Sequence, residues 1–281
     1  MKETTNFEYS VLLPVYHGDK PEYLRTAIDC MTAQTLKPEE ILIAVDGSIG
    51  DELRNVIEEY RQGNNTLFTV CYYPKNRGLG AVLHDALLLC RNDFIARMDA
   101  DDYSVPERIE KQAEIFRKYP ELNVVGCIVD EFEDDISHPV AHVILPEKPE
   151  DVLKFARRRS PMRHPCMLYR KSEIIAVGNY RNVYHYEDYD LQERILHKKP
   201  GMGGGIYNIQ EVLVYMRISK DFYRRRGGIR LMYSSLKMKA RFLKDGFISL
   251  PDFIISGFGQ ALVTLMPGFL REWFYKKFLR K

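Results

Sequence analysis

An α/β fold, with a mostly parallel sheet flanked by helices, is predicted by two observations. Short uninterrupted apolar runs, such as VLLPV at residues 11–15 and ILIAV at residues 41–45, read as strands buried on both faces. Between them lie segments whose apolar residues recur at helical spacing, so strand and helix alternate repeatedly up to Met98. The first strand, residues 9–15, precedes a helix over residues 21–31, with Leu24, Ala27, Ile28 and Met31 on one face. A strand at 41–45 precedes a helix at 51–60, and a strand at 67–72 precedes a helix at 79–90. Residues 93–98 form a fourth strand. Pro106 suits the opening turn of a helix over 107–118, after which 123–129 returns to strand. Beyond about residue 130 the alternation lapses. An extended stretch at 138–145, a helix at 150–159, a strand at 165–169 and a helix at 187–197 are expected there, then a strand pair at 206–209 and 212–216.

With 281 residues, 45% hydrophobic and 12% aromatic, the chain has the composition of a globular protein, and disorder is excluded as its default state. The net charge of +2 conceals an asymmetry: from Arg217 onward there are 15 Lys+Arg against 4 Asp+Glu, leaving an acidic body. A basic tail on an acidic body points to an anionic partner, either nucleic acid or a lipid surface. Five scattered cysteines without a C-x-x-C pair argue against a disulfide framework or a zinc site, and for a reducing compartment. The opening residues MKETTNFEYS contain no apolar core, so no signal peptide is expected.

In parallel sheets ligands bind beyond the carboxyl ends of the strands, so the residues that follow each run carry the chemistry. Those residues are Tyr16-His17-Gly18, Asp46-Gly47-Ser48, the turn Lys75-Asn76-Arg77-Gly78, and Asp99-Ala-Asp-Asp102. A glycine turn that opens a helix presents free N–H groups suited to phosphate. Three carboxylates within four positions repel one another and call for a cation. An EF-hand loop is excluded because Tyr103 and Ser104 stand where a ligand and the invariant glycine belong. A solvated acidic loop is the plain alternative, but a D-x-D site for Mn²⁺ or Mg²⁺ shared with a substrate diphosphate fits the strand-end position better.

Taken in order, VLLPVY, VDGS, KNRGLG, ARMDADD, RHPCMLYRK, YEDYDLQERIL and EVLVYMR resemble the family 2 glycosyltransferases. These are inverting enzymes of the GT-A fold, and the likeness is to bacterial capsular, exopolysaccharide and amylovoran-type members. The resemblance covers nearly the whole chain. It implies that Pro14, Val15, Tyr16, Asp46, Lys75, Asn76 and Gly78 form the nucleoside end of a donor site. It also places Arg97 and Asp99 against the donor, Asp101 on the metal, Glu187 beside the substrate, and Asp188 as catalytic base. His164 either orients the acceptor or is structural. A base is needed to take the proton of the attacking hydroxyl, and a metal to stabilise the leaving diphosphate. Gln192 stands where relatives commonly carry Trp, on the presumed acceptor side. The Q-x-x-R-W signature of processive synthases is absent, which implies single additions. Gly201 to Gly205 reads as a hairpin turn, and Arg224 to Arg226 as either a solvated charge run or a clamp on the diphosphate.

The tail has an apolar stripe at Leu250, Ile254, Phe258, Leu262, Leu265, Phe269 and Trp273. It is flanked by Lys237, Lys239, Arg241 and Lys244 on one side and by Arg271, Lys276, Lys277, Arg280 and Lys281 on the other. That pattern reads as a helical segment lying in an anionic leaflet, with a helix pair packed on the body as the alternative. Nucleic acid is excluded for want of a recognition fold. The expected organisation is a catalytic domain at 1–217, with a nucleotide-sugar half to about residue 130 and an acceptor half to 217, and a membrane-associating tail at 218–281. The expected reaction moves one hexose, galactose by resemblance, from a UDP-sugar to a polyprenyl diphosphate-linked saccharide. It takes place on the cytoplasmic face of a bacterial inner membrane, with the protein bound peripherally. A sugar nucleotidyltransferase would show a glycine-rich loop with Arg and Lys after the first strand, which VLLPVYHGDK lacks. A silent assembly subunit of the same fold is the other alternative, against which the intact Asp46, Asp99, Asp101 and Asp188 count.

Overall fold

The computed structural model describes residues 7–198, 205–219, 222, 226–275 and 277. The expected features at Gly201 to Gly204, at Arg224 and Arg225, and at Lys276, Arg280 and Lys281 lie outside the described residues.

The alternation is present as expected. β1 (Tyr9–Tyr16), β2 (Glu40–Asp46), β3 (Phe68–Tyr73) and β4 (Phe94–Arg97) are linked by α1 (Pro21–Thr32), α2 (Asp51–Gly63) and α3 (Leu79–Leu89). The four strands lie side by side in the order β3-β2-β1-β4, all parallel. β2 is buried at every position and β1 at all but its last, as uninterrupted apolar runs require. Right-handed crossovers then put α1 and α2 on one face and α3 on the other, because the chain reverses direction across the sheet after β3. The crevice at such a switch point opens between the carboxyl ends of β1 and β4.

A short β5 (Tyr103–Ser104) and α4 (Arg108–Lys118) follow, then β6 (Val124–Phe132), β7 (Ala141–Val143), α5 (Pro149–Ala156), a 3-10 turn (His164–Cys166), β8 (Leu168–Arg170) and α6 (Lys171–Ala176). α7 (Glu187–Lys198) and β9 (Ile206–Arg217) complete the body. β8 runs antiparallel between β4 and β6, and β9 lies parallel to β6, giving a mixed sheet of nine strands among the described residues.

Two expectations are corrected. The strand expected at 165–169 is a 3-10 turn that passes into the shorter β8. The strand pair at 206–209 and 212–216 is one strand: Gln210 and Glu211 form an irregularity in its register with β6, and these two polar residues make it read as broken.

After β9 the described residues include the helices α8 (Ile229–Lys244), α9 (Leu250–Leu265) and α10 (Gly268–Phe274). Met238 and Phe242 of α8, with Phe247 and Ile248 after it, join the main hydrophobic core. Arg241 pairs with Asp190 of α7 at 2.9 Å, and Arg158 ties the first turn of α9 through Asp252 at 2.8 Å. The other face of α9 and α10 presents Ile254, Ile255, Phe258, Leu262, Leu265, Phe269 and Trp273 to solvent, each more than half exposed. Arg271, expected as a cationic flank, is instead buried, and its guanidinium donates to the carbonyls of Val263 and Thr264 at the end of α9. Among the described residues no helix is long and apolar enough to cross a membrane.

Candidate active site

Strand register sets the floor of the site. Tyr16 is level with Asp46, and Asp46 with Tyr73, along one carboxyl edge. The Asp46 carboxylate is buried and accepts the backbone N–H groups of Arg77 (2.8 Å) and Gly78 (3.0 Å), while the Asn76 side chain donates to the Asp46 carbonyl. This sequence-predicted residue therefore holds the Lys75–Gly78 turn against the end of β2. Gly47 makes the approach possible: its φ is +88°, and a Cβ there would lie 2.6 Å from the Asn76 nitrogen. Lys75 and Asn76 of this turn and Tyr16 at the end of β1 are exposed, while Pro14 and Val15 are buried in β1.

The acidic cluster forms at the switch point. Arg97, fully buried at the end of β4, pairs with Asp99. Its carbonyl is fixed from below by the guanidinium of Arg108, itself fully buried, at 3.0 Å. Burial and then the Asp99 charge push the Asp101 carboxyl up to about 6. Asp102 is raised well above the usual carboxylate range by burial and then by Asp101; one of its oxygens accepts the Arg217 N–H at 2.8 Å, and the other is buried without a partner. Arg217 also donates to the Asp101 carbonyl (3.2 Å) and lies 3.9 Å from the Tyr23 ring centroid, so it clamps the loop.

A fourth carboxylate, Asp19, was not singled out from the sequence. It accepts the Tyr16 N–H at 2.8 Å and is pushed up to about 7 by burial, with Asp101 and Asp99 adding to the rise. An acidic residue three positions past a strand end was the available signal. Asp19, Asp99 and Asp101 supply the hard oxygen donors that Mn²⁺ or Mg²⁺ prefers, and their mutual repulsion and the orphaned oxygen of Asp102 fit a cation. Among the described residues no three acidic, His or Cys side chains already converge as a ligand set. A cation here would complete its shell with phosphate oxygens and water.

Glu187 and Asp188 open α7, where the helix dipole favours carboxylates, and both are half-buried. Asp188 accepts the Tyr189 N–H at 2.7 Å, and its proton affinity is raised by burial. Burial and the neighbouring Asp188 push Glu187 up to about 8. Arg97 contributes a favourable charge at Asp101 and Glu187, while at Asp188 Arg163 and Arg226 contribute ahead of it. His164 is buried with its Nε2 3.1 Å from the Tyr180 hydroxyl, and burial followed by Arg97 holds it neutral. Gln192 is fully buried; it accepts from the Ser160 hydroxyl (2.9 Å) and donates to the Met162 carbonyl (3.2 Å), fixing the segment that leads to Arg163 and His164.

Asp188 also borders a cavity of about 370 Å³ between the body and the tail, lined by Arg158, Arg163, Tyr186, Lys239 and Tyr275 among others. A larger polar depression of about 650 Å³ lies at the amino ends of β1 to β3, away from this chemistry.

A switch-point crevice lined with strand-end carboxylates and faced by a carboxylate at a helix start defines a glycosyltransferase of mixed α/β, GT-A-like architecture. The family model "Glycosyl transferase family 2" matches residues 10–176, and the chain belongs to that family. It is 36% identical over 98% of its length, and 97% of the relative's, to UDP-Gal:alpha-D-GlcNAc-diphosphoundecaprenol beta-1,3-galactosyltransferase of Escherichia coli. It is 30% identical to the amylovoran biosynthesis glycosyltransferase AmsE of Erwinia amylovora, over 96% of this chain and 98% of that one. Among solved structures, S. aureus TarS 1–349 in complex with UDP-GlcNAc aligns with a TM-score of 0.60 at 16% identity, over 92% of this chain and 82% of that one. A Pyrobaculum calidifontis mannosyltransferase in complex with GDP-Man and Mn²⁺ aligns at 0.61 with 14% identity, over 90% and 68%.

Proposed function

We propose that this chain is a metal-dependent inverting galactosyltransferase that carries one galactose from UDP-galactose to a saccharide linked through diphosphate to a polyprenyl lipid. It would work on surface-polysaccharide precursors at the cytoplasmic face of a bacterial membrane, held peripherally by residues 218–281, with 1–217 as catalytic domain. The observation that carries the reaction is the strand-end carboxylate cluster, with Arg97 paired to Asp99, together with the half-buried Asp188 in the first turn of α7. The Escherichia coli relative, similar end to end, supports the sugar and the acceptor.

In this reading the turn held by Asp46 cradles the nucleoside, with Pro14, Val15 and Tyr16 beside it. Asp99, oriented by Arg97, takes the ribose side, and Asp101 is the residue that would hold Mn²⁺ or Mg²⁺. A bound cation neutralises charge developing on the leaving diphosphate. Asp188 accepts the proton of the attacking hydroxyl, and its burial makes it a better base than a solvated aspartate. Glu187, pushed up to about 8, retains its proton at neutral pH and leaves the charge on Asp188. His164, held neutral, orients that side of the site.

The test is a screen of UDP-galactose, UDP-glucose, UDP-GlcNAc and GDP-mannose against a lipid diphosphate-linked N-acetylglucosamine, each with Mn²⁺ or with EDTA. Transfer is expected from UDP-galactose and is expected to stop in EDTA. Turnover that ignores EDTA would remove the metal, and transfer from another donor alone would replace the sugar.

A further inference from the structure

The cavity between body and tail carries an imbalance of charge that the sugar-transfer chemistry does not use. Five Lys/Arg side chains line it, Arg158, Arg159, Arg163, Arg226 and Lys239, against the single lining carboxylate Asp188; Asp252 and Glu131, outside the lining, pair with Arg158 and Arg163. Lys239 shows what the imbalance is for. It stands on α8 with only 3% of its surface exposed, donates to the Arg158 carbonyl at 3.3 Å, and lies 5.6 Å from the Tyr189 ring centroid. Among the described residues no carboxylate pairs with it, and burial lowers its pKa to about 8. An ammonium placed in a closed wall without a counter-ion is costly unless an anion arrives.

The surroundings select the anion. Arg158, held at its Nε by Asp252, and Arg159, whose guanidinium lies 5.3 Å from the Phe155 ring centroid, stand at the exposed side of the cavity. Arg226 is placed by the Phe222 ring at 4.2 Å. Several guanidinium groups around one ammonium suit a group with more than one phosphoryl unit. One helix separates this cavity from the apolar surface: Gln260 of α9 lines the interior, while Phe258 and Leu262 of the same helix face outward.

We infer that this cavity binds the diphosphate of the lipid-linked acceptor, seating the first sugar against Asp188 while the lipid follows the outer face of α9. The inference rests on the acceptor class proposed above and adds the place and the residues that recognise it. The donor diphosphate is the competing occupant.

Binding alone separates these cases without relying on transfer. Calorimetry with farnesyl diphosphate, farnesyl monophosphate, inorganic pyrophosphate and UDP, on wild type and on Lys239→Met and Arg159→Gln, is the experiment. Farnesyl diphosphate is expected to bind whether or not Mn²⁺-UDP is present, and to bind more tightly than the monophosphate or pyrophosphate. Its affinity is expected to fall about tenfold in each variant, the loss of one charge-assisted contact, with UDP affinity unchanged. Arg159→Gln, at an exposed position, keeps the test decisive if the buried substitution disturbs folding. Mutual exclusion of farnesyl diphosphate and UDP, or equal loss of UDP affinity in the variants, would assign the cavity to the donor. Absence of farnesyl diphosphate binding to wild type, or undiminished binding in both variants, would overturn the inference. Equal affinity for pyrophosphate would show a phosphate site that ignores lipid and would also overturn it. Proper binding alongside failure of galactose transfer would leave the inference standing and sink the donor assignment instead.

Discussion

At the carboxyl edge of β1 to β4 each chemical group sits on a short contiguous turn, whereas the cavity behind α9 is lined by residues as far apart in sequence as Arg158 and Tyr275. The edge is assembled by backbone: parallel register levels Tyr16, Asp46 and Tyr73, and Asp46 pins the next turn through two N–H groups. The cavity is assembled by side-chain packing, with Tyr189 against Phe242 and Arg241 against Asp190. The difference teaches that backbone register and side-chain packing build opposite charge environments in one molecule, a carboxylate-rich edge and a cation-rich cavity.

The largest effect is expected at the point where the two regions meet. Asp188→Asn keeps the shape of the side chain but removes the base, so kcat is expected to fall by about 10² or more while UDP affinity holds. Steady-state kinetics with a parallel UDP titration checks this. Loss of both would show that Asp188 belongs to the donor edge, and near-normal turnover would remove it as base.

A smaller effect is expected on the tail side. Phe258→Glu combined with Leu262→Glu places two charges on the exposed stripe. Binding to anionic vesicles is expected to weaken about tenfold or more, since each apolar side chain buried in lipid contributes roughly 1.5–3 kcal/mol. Binding of Mn²⁺-UDP should not change. Sedimentation with vesicles across a salt series gives the readout, and wild type that ignores anionic vesicles at low salt would end the membrane reading.

The smallest effect concerns stability of the edge. Asp19 and Asp101, raised to about 7 and about 6, bind protons more tightly folded than unfolded. The stability they contribute is therefore complete below about pH 4 and is lost as pH rises through 6 to 7. Melting temperature without ligand should fall by a few degrees between pH 5 and pH 8, at about 2–4 °C per kcal/mol for a chain of this size. Mn²⁺ with UDP should restore more at pH 8 than at pH 5. A restoration independent of pH would separate the cation from these carboxylates.

The legible parts of the molecule are the ones with local causes. Uninterrupted apolar runs announced β1 and β2, and the turns after them carried Asp46, Asp99 and Asp101 in readable order. Asp19 escaped because its carboxylate joins the cluster only through the turn after β1. Lys239 and Arg271 read as membrane flanks because a sequence shows their charge and not their direction; packing turns both inward. Gln210 and Glu211 broke the pattern of β9 because a bulge admits polar residues into a continuous strand.

Asp190 bears on how this chain could be recombined with others. Two residues after Asp188, its buried carboxylate holds Arg194 of its own helix at 3.0 Å and Arg241 of α8 at 2.9 Å. A chimera that joined residues 1–217 to a foreign tail would inherit the carboxylate without the Arg241 guanidinium, and the Tyr189 ring without Phe242. Gly246, at φ +80° just past α8, is the better junction. There a transplanted tail would keep Arg241 on Asp190 and Phe242 on Tyr189, and would have to supply its own replacements for Phe247 and Ile248 in the core.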